Sequence, residues 1–327
     1  MHMHRCILFT FILCFYLSTV LQAHHPAPAA SVKDSDFGGI SSGPMLNSPT
    51  ASTLGQNKGQ AGFVFEYVRY NSIPAANAHR LHHRGRDVHG KNHEQTYSLN
   101  LGFGILDDLD IYLNTPFVSK NSIEIHDHSN LGKKERATGL GDLSLQAQHK
   151  FWKKYVEAAA LVGIKFPTGK TAAKRDSGDK FAPELQPGTG SWDGQFGVAI
   201  SRSFKKRIST VTSVQYFLHG EGAQDHKQGD VFRYNIGTSY AVRDLGSSPN
   251  VILVTELMNE WALRDHSREE DQVFDSGGTT ISFAPGVQVS VDRFSVFLSC
   301  PIPIYQNLGG EHEEKKFEVL TGSSFSF

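Results

Sequence analysis

The sequence predicts an all-β fold, a closed antiparallel transmembrane β-barrel of about 12 strands. Three observations predict it. Segments of about ten residues alternate apolar with small polar side chains, and the connections between them alternate short and long. Beyond the first 23 residues, no apolar run reaches the roughly 18 residues that a spanning helix needs.

The chain divides into three parts. In residues 1–23, Arg5 precedes an apolar run that ends at Ala23 before "HHPAPAA", the layout of a secretory signal cleaved near Ala23. Residues 24–59 are rich in Pro, Gly, Ser and Ala and have no period, so they cannot bury a core. They are expected to be a flexible N-terminal segment or a plug that enters the lumen. Residues 60–327 form the barrel. Cys6 and Cys14 lie in the leader, so Cys300 is left alone and no disulfide forms within the exported chain.

The strands follow in order. "AGFVFEYVRY" comes first. In "TYSLNLGFG", Tyr97, Leu99, Leu101 and Phe103 alternate with Ser98, Asn100, Gly102 and Gly104. "DLDIYLNT" and "GDLSLQAQ" repeat the two-faced pattern, followed by "YVEAAALVGIKF", "SWDGQFGVAISRSF", "RISTVTSVQYFL" and "VFRYNIGTSYAV". "VILVTELMNEW", "TTISFAPGVQVS", "FSVFLSCPIPIY" and "KFEVLTGSSFSF" complete the series. Their second face carries Ser, Asn, Gln, Gly and Thr rather than the Lys, Glu and Asp of an open wet surface. That composition suits a hydrated interior better than a soluble sandwich.

Short connections such as "FWKK", "KK" and "VDR" alternate with long ones such as "PTGKTAAKRDSGDKFAPELQPGTG". Tight turns on one rim and long loops on the other describe an outer-membrane barrel, with the turns periplasmic and the loops external. In a bilayer every backbone polar group must be paired, and closure satisfies all of them while removing sheet edges. Phe317, Val319, Phe325 and Phe327 form the outward set of the last segment. A terminal aromatic there is the feature by which barrel-assembly machinery recognises its clients.

The motifs "GLGDLSLQAQHKF", "GIKFPTG", "LQPGTGSWDGQFGVAISRSF", "SPNVILVTELMNEW", "APGVQVSV", "CPIPIYQNLGG" and "SSFSF" resemble the outer-membrane proteins named for the meta-pathway of phenol degradation. These are strand and turn signatures, and none is catalytic. The resemblance implies an outer-membrane channel or transporter for small, aromatic or hydrophobic molecules, working by passive diffusion and without a cofactor.

Ionisable residues on a lumen wall set selectivity in a pore. The inward candidates are Glu256 and Glu260, Arg233 and Arg243, and Glu157 and Lys165. Histidines gather on the long-loop rim: His79, His82, His83, His89 and His93, then His126 and His128. "HRLHH" and "HDH" have the spacing to capture Zn, Cu or Ni, so a metal-binding or metal-responsive barrel is the alternative. A solvated loop with a compositional bias is the plainer explanation.

Three classes are disfavoured. A net charge of -1 gives no basic face for nucleic acid. "GIKFPTGKT" has five residues between Gly163 and Gly169 where a phosphate loop needs four, and no helix pattern follows. An outer-membrane phospholipase would need Ser and His paired on the greasy outer wall, and the apolar faces are expected to carry no such His.

Overall fold

The two-residue alternation becomes a closed wall. The computed structural model describes residues 45–71, 88–125, 133–267, 276–309 and 314–327. Its barrel strands are β1 (Gly59–Tyr70), β2 (Val88–Leu106), β3 (Leu109–Ile125) and β4, in two pieces (Lys133–Leu140 and Leu143–Lys153). Next come β5 (Glu157–Phe166), β6 (Asp193–Phe204), β7 (Ile208–Leu218) and β8 (Val231–Ala241). The last four are β9 (Asn250–Ala262), β10 (Gly278–Val291), β11, again in two pieces (Phe294–Ser299 and Ile302–Leu308), and β12 (Lys315–Ser326). Each strand pairs antiparallel with its sequence neighbours, and β12 pairs back on β1 from Gln60↔Ser326 to Tyr70↔Lys315. The sheet therefore has no free edge.

All the predicted strand segments form wall strands. The alternation ended too early in two of them. β2 and β3 run on as a hairpin to Val88↔Ile125, and Lys133–Leu140 pairs with the extended part of β3. Those extensions carry charge on both faces ("KNHEQ", "KKERATGL"), so they lack the apolar set that marks the strands below.

The two split strands have a common cause. Proline offers no N–H to a ladder. Gly141, in the gap of β4, donates to the carbonyl of Pro116 on β3 at 2.8 Å, and Cys300, in the gap of β11, donates to that of Pro285 on β10 at 2.9 Å. Each gap thus lies opposite a proline of the neighbouring strand.

The outer face is greasy. Leu99, Val162, Phe196 and Leu253 are each more than half exposed. An apolar surface this continuous needs hydrocarbon around it. Phe151, Trp152 and Tyr155 stand exposed at the β4–β5 turn on the short-turn rim, and Trp192 and Tyr305 at the opposite rim, the two levels at which barrels carry aromatic residues. The β6–β7 turn is tight: in the three-residue connection 205–207, Lys205 and Lys206 both have positive φ (49° and 57°), and Arg207 N donates to the Phe204 carbonyl at 3.2 Å.

Candidate functional site: the filled lumen

The inner wall is built from the second residue set. Ser201, Ser209, Ser213, Asn235, Ser239, Gln288, Ser290 and Ser295 are buried on it, together with Asn100 and Asn114. Such side chains tolerate close quarters because each can donate and accept.

Residues 45–55 run inside the barrel, along its short-turn half, and residues 56–58 lie exposed at that rim. Near the rim the backbone N–H of Leu54 donates to Asp110 Oδ2 at 2.8 Å, and Gln56 N to Asp107 Oδ1 at 3.1 Å. A Cβ on Gly104 would lie 1.9 Å from the carbonyl oxygen of Gly55, so only glycine admits the segment there. Further in, Gln148 Nε2 donates to the Ser52 carbonyl at 2.6 Å and Ala51 N to Ser201 Oγ at 2.9 Å.

The described part of the segment reaches mid-height on the far wall. Glu256, in the middle of β9 and 1% exposed, accepts from Leu46 N (3.1 Å), Asn47 N (2.9 Å) and Asn47 Nδ2 (2.7 Å). Asn47 Nδ2 also reaches Ser299 Oγ at 2.9 Å. Met45 and Leu46 join a buried apolar cluster with Val64, Val211, Ile252, Val254, Phe297 and Leu320. Gly237 and Gly286 make room for them: a Cβ on either would lie 2.5 Å from Met45 Sδ or Leu46 Cδ1 respectively.

The long-loop half of the lumen carries a belt of charge. The register places Glu318 and Glu94 on either side of Val68, and Lys120 opposite Glu94. Glu66 lies one layer below Val68 on the same inner face. Lys315 Nζ is 3.7 Å from Glu318. Across the barrel, Arg233 Nε meets Glu260 Oε2 at 2.5 Å, its guanidinium 4.6 Å from the Phe217 ring centroid.

Above the belt, the loop of residues 167–191 turns Ala173, Phe181, Leu185 and Gln186 inward, while most of residues 174–180 stay exposed at the rim. An ionic knot anchors the loop. Lys165 Nζ contacts Asp193 and Thr189 and lies 3.3 Å from Asp142 Oδ2. Asp142 also accepts from Gly169 N, Thr189 N and Thr189 Oγ1 at 2.7–2.8 Å. Phe181 and Leu185 are buried beside Ala137 and Ala173, and Lys120 Nζ donates to the Glu184 carbonyl at 3.1 Å. A second rim contact joins two loops. His226–Lys227 pairs with His266–Ser267, and His226 Nε2 lies 3.2 Å from Asp265 Oδ2. Burial pulls the His226 pKa down, but the hydrogen bond and charge of Asp265 outweigh it and leave it raised.

Of the expected lumen residues, Glu256, Glu260, Arg233, Glu157 and Lys165 face inward. Glu157 lies at the short-turn end, 3.7 Å from Lys150, away from the belt. Arg243 does not line the lumen: β8 ends at Ala241, and Arg243 lies exposed in the following turn, reaching the Pro249 carbonyl at 3.3 Å. The alternation was carried one step past the real strand end.

Among the expected metal ligands, His79, His82, His83, His126 and His128 lie outside the described residues, as does the side chain of His89. His93 is not in a loop. It sits in β2 with its ring 5.6 Å from that of Tyr67. Among the described residues, no three His, Cys, Asp or Glu side chains are grouped to hold a metal ion. His149 corrects the reading of the outer wall: it is exposed on the lipid-facing set of β4, beside the carbonyl of Asp108 at 3.2 Å.

Glu66, Glu94, Glu318, Lys120, Lys315, Asp142 and Asp193 were missed by sequence reasoning. Glu318 is legible in the sequence, since it alternates with the outward pair Phe317 and Val319. Glu66 was hidden because its inward neighbours are Val64 and Val68, so both faces of β1 read as apolar.

Residues 85–294 match the model of the family described as "Putative MetA-pathway of phenol degradation". The chain belongs to this family. No curated protein matches the sequence. Among solved structures, an outer membrane channel from Pseudomonas putida F1 is similar over 86% of this chain and 100% of its own, at 13% identity and a TM-score of 0.61. The transport unit of the autotransporter AIDA-I from Escherichia coli follows at 11% identity and TM-score 0.47, covering 83% of this chain and 91% of its own. The first likeness establishes the fold as that of an outer-membrane barrel.

Proposed function

We propose that the protein is a passive outer-membrane channel for small solutes. The observation that carries this reading is the hydrophilic inner wall of a closed barrel whose outer wall is apolar. Twelve strands enclose a narrower lumen than a sixteen-stranded porin, and residues 45–55 narrow it further. The belt of Glu66, Glu94, Glu318, Glu260, Lys120, Lys315 and Arg233 favours polar or charged solutes, because an apolar solute would displace ordered water there without replacing its hydrogen bonds. No covalent chemistry is part of this reading.

The alternative solute class, aromatic or hydrophobic molecules, has a place to rest on the outer wall. A groove of about 510 Å³ opens on the lipid face, lined by Leu145, Val162, Ile164, Trp192 and Phe196. The metal-responsive alternative rests on the loop histidines and gains no support from His93, which is part of the wall.

Liposome swelling tests the channel reading. Arabinose and glycine should enter vesicles bearing the wild type slowly, because residues 45–48 are held on Glu256, and vesicles bearing Glu256→Gln faster, at rates that fall steeply for disaccharides. Absence of swelling for every solute, in the wild type and in Glu256→Gln alike, would remove the reading.

A further inference from the structure

Glu256 poses a chemical question that the channel reading leaves open. It is a carboxylate 1% exposed, yet no Lys or Arg among the described residues pairs with it. Its charge is satisfied by N–H donors of Leu46 and Asn47, residues 210 and 209 positions away in the chain. A buried carboxylate without a cation is costly unless it is well hydrogen-bonded, so something must always occupy this place. Beside it lie two apolar sockets, floored by Gly237 and Gly286 and filled by Met45 and Leu46. The chain's own segment therefore displays what the site accepts: clustered N–H donors on an apolar body the size of a leucine side chain.

We propose that Glu256 and the two glycine-floored sockets form a binding site for small amphiphilic cations, occupied at rest by residues 45–48 of the same chain. The proposal rests on the channel reading and adds a solute class to it. An alkyl- or arylalkyl-ammonium, or an amidinium with an apolar tail, presents two or three N–H donors together with the charge the segment lacks. A hydrogen bond to a charged group is stronger than one between neutral groups, and an ammonium brings the opposite charge as well. Such a solute competes with residues 45–48, lifts them from the wall and opens the path it then follows. The segment acts as a stopper that the right solute unseats, and a solute with no N–H or no tail leaves it in place.

The test uses the full mature chain in planar bilayers with isopentylammonium, whose tail copies the leucine side chain. The expected result is a rise of about tenfold in open fraction at millimolar concentration, the equivalent of losing one hydrogen bond to a charged group. Isopentyltrimethylammonium, with the same charge and tail but no N–H, should produce no rise. Glu256→Gln should be open without either cation and insensitive to both. Equal responses to the two cations, or a closed Glu256→Gln barrel that still opens with isopentylammonium, would overturn the proposal. A second measurement needs no current. In Asn47→Cys/Ser299→Cys on a Cys300→Ser background, oxidative cross-linking across the 2.9 Å contact should slow at least about threefold with isopentylammonium, the loss expected from modest competition. An unchanged rate sinks the site even if the barrel conducts. If no solute or ion passes any variant while cross-linking slows, the channel reading fails and the site stands.

Discussion

Replacing Lys165 by methionine should release the inward-folded loop and destabilise the barrel. The lysine is buried, its side chain 7% exposed, with Asp193 in contact and Asp142 at 3.3 Å. Those carboxylates are themselves 7% and 0% exposed, so water cannot take over the role of the ammonium. Breaking a buried pair from one side leaves an uncompensated charge and costs about 3–5 kcal/mol. Here two acids lose one shared cation, which places the expected loss at the upper part of that range. Asp142 keeps its bonds from Gly169 and Thr189, so the damage should concentrate at Asp193 and the loop ends. Urea unfolding in detergent, followed by the gel shift between folded and unfolded barrel, would measure the loss. Lys170, Lys174 and Lys180 are exposed in the folded loop, so limited trypsin digestion should cut there faster than in the wild type once the anchor is lost. Lys165→Met/Asp193→Asn should recover part of the stability, because it removes a negative charge along with the cation. A Lys165→Met barrel within about 1 kcal/mol of wild type, with the loop cut no faster, would refute the reasoning, since even an exposed pair can reach that value.

Three further outcomes are expected. The His226–Asp265 contact, which lies in the loops, should depend on pH. The raised pKa of His226 means its contribution is complete below 6.5 and fades as pH rises through the folded value; Asp265, lowered by His226 despite its burial, contributes above 3.8 and fades as pH falls through its own folded value. Hydrogen-exchange protection at residues 226–227 and 266–267, taken relative to the intrinsic rate at each pH, should therefore be greatest between those limits. Because burial lowers the His219 pKa and acts in the opposite sense, the quantity to compare is wild type minus His226→Ala, and a flat difference from pH 5 to 9 would exclude the pair. In the belt, Glu260→Gln should remove one negative charge beside Arg233 and move the reversal potential in a KCl gradient toward anions; an unchanged potential would count against a role in selectivity. On the outer wall, Leu257→Arg, near the middle of β9, should cost about 2–4 kcal/mol in lipid vesicles, the price of a cation at the bilayer midplane, and a neutral result would argue that this face does not meet hydrocarbon.

The wall was legible and its contents were only partly so, for a definite reason. Strand faces follow from local alternation, and a segment such as "SLNLGFG" needs no partner to declare which side is greasy. Strand ends are less local: Arg243 has the right parity for the lumen, yet β8 stops before it because the turn to β9 begins there. The sites formed by distant residues were harder still. Glu256 was visible as an inward carboxylate, but its partners Leu46 and Asn47 lie in a stretch with no period, where nothing marks the two residues that will reach it. Lys165 was read as inward too, while its attachment to Asp142 and Asp193 depends on how a long loop folds, which alternation does not encode.

The path of residues 45–58 also bears on how the barrel is made. Their seat is assembled from β9, β10 and β11, which leave the ribosome near the end of synthesis, whereas the segment itself precedes the first strand. Contacts separated by about two hundred positions form late, because the intervening chain must first be ordered. An incomplete sheet thus offers the segment no place to dock, and filling of the interior serves as a signal that the circle of strands has closed.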